Sequence, residues 1–362
     1  MAGTPRSARR CGIAAGIAAN GAASVAENRD QDTGMMGKLR PDAFTIALVA
    51  TVLAATVLPC RGEAAMAFAR AAKASIMLLF FLHGAKLSRE AIIRGAGAVK
   101  LHVSALGLTY LAFPAIGLLI ALAPDAVVSP NIKAGIMFLA VLPSTVQSAI
   151  AFTSIGGGNV AAAVCSASLS NVIGVFLTPL LAGILIHTQG TTGDLDTVAA
   201  IRSVVVTVLI PFIAGHLSRP LTAAFIARHA AVLGKVDRGA ILLVVYTAFS
   251  AAVVDGLWSR VSGFDLAVVA ALSVVMLAAI LLASLWLARL TGMSRADKVA
   301  LMFCGSTKSL ASGVPIAAAL FAAPLVGMLM LPLLIYHQIQ LIVCAVIARF
   351  YADHPGGARQ ES

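Results

Sequence analysis

VALMFCGSTKSLAS, residues 299–312, sets a lysine inside an otherwise uncharged apolar run. From Val299 to Ala348 the only Asp, Glu, Lys or Arg is Lys308. A second stretch has the same layout. AGIMFLAVLPSTVQSA, residues 134–149, also runs through a small residue and an aliphatic to a Met-Phe pair (Met137-Phe138, against Met302-Phe303). Both then enter a small polar cluster: Pro143-Ser144-Thr145 in one, Gly305-Ser306-Thr307 in the other. Pro143 and Gly305 stand 162 residues apart. Proline removes a backbone donor and glycine weakens a helix, so each stretch reads as a helix interrupted part-way.

Composition names the solvent. The 362 residues are 60% hydrophobic and 11% charged, with a mean hydropathy of +0.96. Soluble domains carry about 45–50% apolar and about 25% charged residues. The chain is therefore a polytopic membrane protein, and a soluble enzyme is excluded. The net charge of +11 does not indicate nucleic acid, because the basic residues fall in short gaps between apolar runs. Cys11, Cys60, Cys165, Cys304 and Cys344 are scattered, without the spacing of a disulfide framework or a zinc site. Free thiols, no bound metal of that kind and no cofactor are the expectation.

Ten apolar runs stand between charged or Gly/Pro breaks, at about 42–59, 72–87, 99–122, 132–155, 159–187, 198–218, 235–255, 264–289, 298–322 and 324–350. With the N-terminus inside, nineteen Lys and Arg residues fall in inner segments and six in outer loops. That bias predicts both termini in the cytoplasm of a multi-pass plasma-membrane protein, the inner membrane if the source is bacterial. Residues 1–40 read as a disordered extension. Arg6, Arg9 and Arg10 before a Gly- and Ala-rich patch also suggest a signal peptide, and Met35 and Met36 offer a later start.

Five helices per unit make two repeats, 41–187 and 197–350, followed by a tail at 351–362. The odd number inverts the second copy, so the fourth and ninth helices become equivalent. In secondary transporters, paired interruptions in the two halves mark the substrate and ion site near the midplane. The competing explanation for the small residues is close helix packing.

Four segments together resemble the bile acid:sodium symporter family, in its SBF-like branch. They are PSTVQSAIAF (143–152), NVAAAVCSASLSNVIGVFLTPLLAG (159–183), GSTKSLASGVPIA (305–317) and LPLLIYHQIQ (331–340). The resemblance spans roughly residues 40 to 350. It implies an all-α fold of ten transmembrane helices, with discontinuous helices four and nine crossing in a core domain. Helices one, two, six and seven would form a separate panel domain. It further implies that Ser148 and Ala149 stand at the family's Ser-Asn pair on helix four. Ser166, Ser170 and Asn171 fall near its hydroxyl ligands on helix five. Cys304 falls at the glutamate shared between two sodium sites, and Lys308 and Ser309 at a Gln-Asn pair. The carboxylate is missing, and no Asp or Glu lies deep in any run; Asp42, Asp237, Asp255 and Asp297 sit near run ends. The sodium ligands that remain are Ser148, Ser166 and Ser170.

Three roles for Lys308 stand side by side. Its ammonium replaces a sodium ion permanently; or it exchanges a proton and couples transport to protons; or it pairs with an anionic solute. Snorkelling to an interface is the bland alternative. Neutral hydrogen-bonders surround it in sequence: Ser144, Thr145, Gln147 and Ser148 on the fourth run, Ser306, Thr307 and Ser309 on the ninth, and His337, Gln338 and Gln340 on the tenth. His83 with Lys86 marks an inner mouth or simply a helix end. The function expected is secondary active transport of an organic, anionic solute, with sodium or protons as candidate coupling ions. A non-transporting regulator or scaffold that keeps the fold is the alternative. There is no G-x-x-x-x-G-K-[ST] motif and no catalytic constellation in the runs.

Overall fold

A lipid environment offers backbone groups no water, so a spanning chain must pair them within itself, and helices do so. The computed structural model describes residues 43–86, 97–187 and 202–354, and all regular structure among them is helical. The extension at 1–40 and residues 355–362 of the tail lie outside the described residues.

The helices are α1 (Ala43–Val57), α2 (Gly62–Lys86), α3 (Val99–Ala121), α4 (Pro130–Ala140), α5 (Val146–Ile155), α6 (Val160–His187), α7 (Arg202–Arg228), α8 (Ala230–Val254), α9 (Gly263–Leu290), α10 (Arg295–Ser306), α11 (Leu310–Leu320) and α12 (Ala323–Asp353). Eight runs among the described residues are long and apolar enough to cross a membrane, counting α10 and α11 as one run, 295–320. Helices α1 and α5 are apolar but shorter. Local chemistry sets several starts. The Ser262 hydroxyl accepts from the Asp265 N–H, whose carboxylate answers the Ser262 N–H, a capping box on α9. Ser294 caps α10 through Asp297 N, and prolines open α4 and α12.

Two groups of helices pack separately and then meet. Helices α1, α2, α7 and α8 pack on one another; α3 to α6 and α9 to α12 form the other group; α8 touches both α11 and α12. Within the first group α2 and α7 cross backbone to backbone. A Cβ on Gly84 would lie 2.0 Å from the Phe212 carbonyl oxygen, and one on Gly215 2.0 Å from that of Phe81, so only glycine fits either place.

The run 295–320 has the lowest hydropathy of the eight, yet 94% of its most apolar window is buried in protein, against 28–44% for the others. Protein, not lipid, surrounds the interrupted element.

Two expectations need correction. The second run does not begin at 72: α2 starts at Gly62, so Arg70 and Lys73 lie inside a long helix and not in an outer loop. The ninth run is not broken at Gly305 either. Helix α10 continues through it to Ser306. Gly305 serves packing: a Cβ there would lie 2.6 Å from Leu108 Cδ1 on α3.

Candidate functional site

The fourth run is non-helical at 141–145 and the ninth at 307–309. Thr145 (φ −76°, ψ 129°) and Ser309 (φ −84°, ψ 108°) are extended, and the two interruptions meet. Ser309 N donates to Pro143 O at 2.8 Å, Thr145 Oγ1 to Lys308 O at 2.7 Å, and Ser144 Oγ lies 3.2 Å from Thr307 Oγ1.

A break at the end of α4 leaves carbonyls that a continuous helix would have paired, and buried orphans are costly. Each carbonyl from Ala140 to Ser144 finds a donor on another helix or on the facing break. Lys308 Nζ donates to Ala140 O (2.8 Å) and Leu142 O (2.7 Å). Thr178 Oγ1 serves Val141 O at 2.8 Å, Ser309 N serves Pro143 O, and Asn171 Nδ2 serves Ser144 O at 2.7 Å.

Lys308 is the centre of this arrangement. It is 0% exposed. Its third bond, 3.0 Å, goes to Thr109 O, in a π turn of α3 at Leu108–Ala112. The Phe113 ring centroid lies 4.0 Å from Nζ. Three carbonyl acceptors require three N–H donors, which only the ammonium form has. The negative end of the α4 dipole and the ring face both favour that charge. Snorkelling is ruled out, since Nζ points at carbonyls inside the protein. With every N–H committed, the group has none left for an anion in this state.

The neighbouring side chains brace the break. Lys308 N donates to Gln340 Oε1 (2.7 Å), and Gln340 Nε2 donates to Lys308 O (3.0 Å). The same amide nitrogen lies 2.9 Å from His337 Nδ1. Tyr336 OH caps Ser306 O, the Ser306 hydroxyl returns to Met302 O, and that of Thr307 to Phe303 O. Ser309 Oγ accepts from Ser312 N, and Ser312 Oγ donates to Asn171 Oδ1. Ser170 Oγ accepts from Ser144 N.

The expected residues therefore separate. Lys308, Ser306, Thr307, Ser309, Ser144, Thr145, Ser170, Asn171 and His337 come together at the crossing. The side chains of Gln147, Ser148 and Gln338 make no hydrogen bond among the described residues, and Gln147 is exposed. Cys304 is buried, with its thiol 3.7 Å from Ala163 O. Thr109, Phe113 and Thr178 join the site without having been expected. Two of these act through a backbone oxygen or a ring face, which leaves no motif; Gln340, expected with His337, is at the crossing as well.

A sodium ion needs several oxygens and gains most from a carboxylate. The freed carbonyls of the α4 break are already capped, two of them by Lys308, and no carboxylate of the described residues lies at the crossing. The Ser166 hydroxyl is buried without a hydrogen-bond partner among the described residues, and Ser170 and Cys304 complete a neutral set. These residues do not fit an ion bound as the resemblance implies, and no metal-binding group of His, Cys, Asp or Glu is found among the described residues.

Away from the crossing, a cavity of about 240 Å³ opens between the two helix groups, lined from α2, α7, α8, α11 and α12.

A multi-pass helical membrane protein with a charged, interrupted run enclosed by protein belongs to the class of membrane transporters. The family can be named. The chain belongs to the SBF-like CPA transporter family (DUF4137), whose model matches residues 42–353. It is 51% identical over 312 residues to "Uncharacterized protein PA2026" of Pseudomonas aeruginosa, covering 86% of this chain and 93% of that one. It is 47% identical over 310 residues to "Putative symporter YfeH" of Escherichia coli, covering 86% and 92%. Sodium/bile acid cotransporter 7-B of Xenopus laevis is 27% identical over 325 residues, 87% of this chain and 92% of that protein.

Proposed function

We propose that the chain is a secondary active transporter of an organic anion, working by alternating access, in which Lys308 stands permanently in the place of a coupling cation. Ten spans form two inverted five-helix repeats: α4 with α5 makes the fourth, α10 with α11 the ninth. Helices α1, α2, α7 and α8 are the panel, and the others the core. The observation that carries this is the Lys308 ammonium, whose three bonds all end on carbonyls, two of them freed by the broken helix. A free cation at the same place would offer the same charge to the same oxygens. The relatives named as symporters support transport, and the cation's tethering favours sodium independence over proton exchange.

A second reading has one observation in its favour. The crossing is filled: Thr307, Lys308 and Ser309 are between 0% and 3% exposed. A scaffold that kept the fold without transporting would look the same there. The cavity between the helix groups favours the transporter, since a scaffold needs none.

Sodium itself tests the surrogate role. In detergent, the purified protein should unfold at the same temperature in sodium chloride as in potassium chloride at equal ionic strength. A ligand at a hundred times its Kd stabilises by about 2.7 kcal/mol, so a working sodium site would be visible. A saturable sodium-specific rise that persists in Lys308→Met refutes the surrogate role.

A further inference from the structure

Lys73 lies on α2, and the crossing does not use it. It stands eleven residues past Gly62, about 16 Å along the axis at 1.5 Å per residue, beside the start of α7, the end of α11 and the start of α12. It is exposed, lines the 240 Å³ cavity, and makes no hydrogen bond or ion pair among the described residues.

The opposite walls supply acceptors. Thr207 Oγ1 donates to Ser203 O (2.6 Å) and Thr247 Oγ1 to Leu243 O (2.8 Å), so their lone pairs remain for the cavity. Thr207 sits in a π turn, Val205–Leu209, a distortion often found at functional sites. Among the described residues no Asp or Glu lines the cavity, and Lys73 is the one cation there; the other walls are largely aliphatic, Ile76, Val244 and Val326 among them. At about 30 Å³ per water, the volume equals about eight waters, room for a solute of roughly ten non-hydrogen atoms. A steroid skeleton exceeds that volume.

We infer that this cavity is a solute site for a small organic monocarboxylate, with Lys73 as the group that recognises the carboxylate. Its part in transport rests on the transporter reading; the binding does not. One positive charge selects a monoanion, the threonine oxygens accept from a hydroxyl on the solute, and the aliphatic wall takes the rest.

The test is binding, followed by uptake. Calorimetry on the purified protein uses lactate, 3-hydroxybutyrate and benzoate, with taurocholate as the size control. At least one of the three should bind the wild type and taurocholate should not. Lys73→Gln should lose at least tenfold in affinity, Lys73→Arg should recover part of it, and Arg70→Gln, a neighbouring cation outside the cavity, should stay within twofold. Binding of none of the three, or affinity unchanged in Lys73→Gln with unfolding temperature intact, overturns the assignment. Uptake into proteoliposomes separates the two ideas. Binding that needs Lys73 without uptake removes the transporter and leaves the site; carboxylate uptake indifferent to Lys73→Gln removes the site and leaves the transporter.

Discussion

Lys308→Ala should make the protein's stability depend on an added cation. The change leaves the carbonyls of Thr109, Ala140 and Leu142 without a donor. Buried orphans cost about 1–3 kcal/mol each. A cavity in place of the stem adds roughly 2–5 kcal/mol, by analogy with large-to-small core changes. Against this, removing a buried charge returns about 2.5–3.5 kcal/mol on insertion scales. The net is a loss of roughly 2–12 kcal/mol on these ranges. At about 2 °C per kcal/mol the apparent unfolding temperature falls by at least roughly 4 °C.

The vacated space is a cage of three carbonyl oxygens facing an aromatic ring, which suits a small cation. Methylammonium or sodium chloride should restore part of the loss in Lys308→Ala, and N-methylglucamine chloride should not. Rescue reaches about 1.4 kcal/mol at ten times the Kd of the added ion. The wild type should not distinguish the three salts. Differential scanning fluorimetry in detergent reads both arms. A Lys308→Ala protein that unfolds with the wild type and responds to neither small cation refutes the reasoning.

Three further outcomes follow from the packing. Gly84→Ala places a Cβ 2.0 Å from the Phe212 carbonyl oxygen and forces α2 from α7 along backbone, which cannot yield like a side chain; loss of monodisperse protein on size-exclusion chromatography is the expected result, and normal yield and unfolding temperature would contradict it. Gln340→Leu removes the acceptor of Lys308 N and one of two donors to Lys308 O, at a cost of about 1–3 kcal/mol, with faster amide exchange at residues 307–309 by mass spectrometry. Lys86→Gln breaks the ion pair to Asp237, whose side chains are 31% and 19% exposed, and should cost no more than about 1 kcal/mol, shrinking as salt is raised in thermal melts.

The crossing was legible because its signals are side chains. A single charge in fifty uncharged apolar positions and a repeated Met-Phe before a polar cluster both stand out in the sequence. What supports Lys308 was hidden for the same reason. Thr109, Ala140 and Leu142 contribute carbonyls, which every residue has, so identity carries no signal. Gly305 looked like a breaker because glycine weakens helices, but a neighbour's side chain, Leu108, is what demands it. The start of α2 was missed because Glu63, Arg70 and Lys73 give its first half the polarity of a loop. Alanines at Ala64, Ala65, Ala67 and Ala69 keep that half helical, and the polarity belongs to a helix bordering a cavity.

The two lysines stand in opposite surroundings. Lys308 is enclosed, saturated by carbonyls and joined to the chain. It keeps the broken helices in register. Lys73 is open, without a hydrogen bond or ion pair among the described residues, and placed between the helix groups, where the walls from α11 and α12 present Ala318, Ala319 and Ala323. Small side chains there offer little resistance to one group sliding on the other. The charge that braces the break is thus separate from the charge open to the cavity, and under the proposed assignment a solute's own negative charge would pair with Lys73.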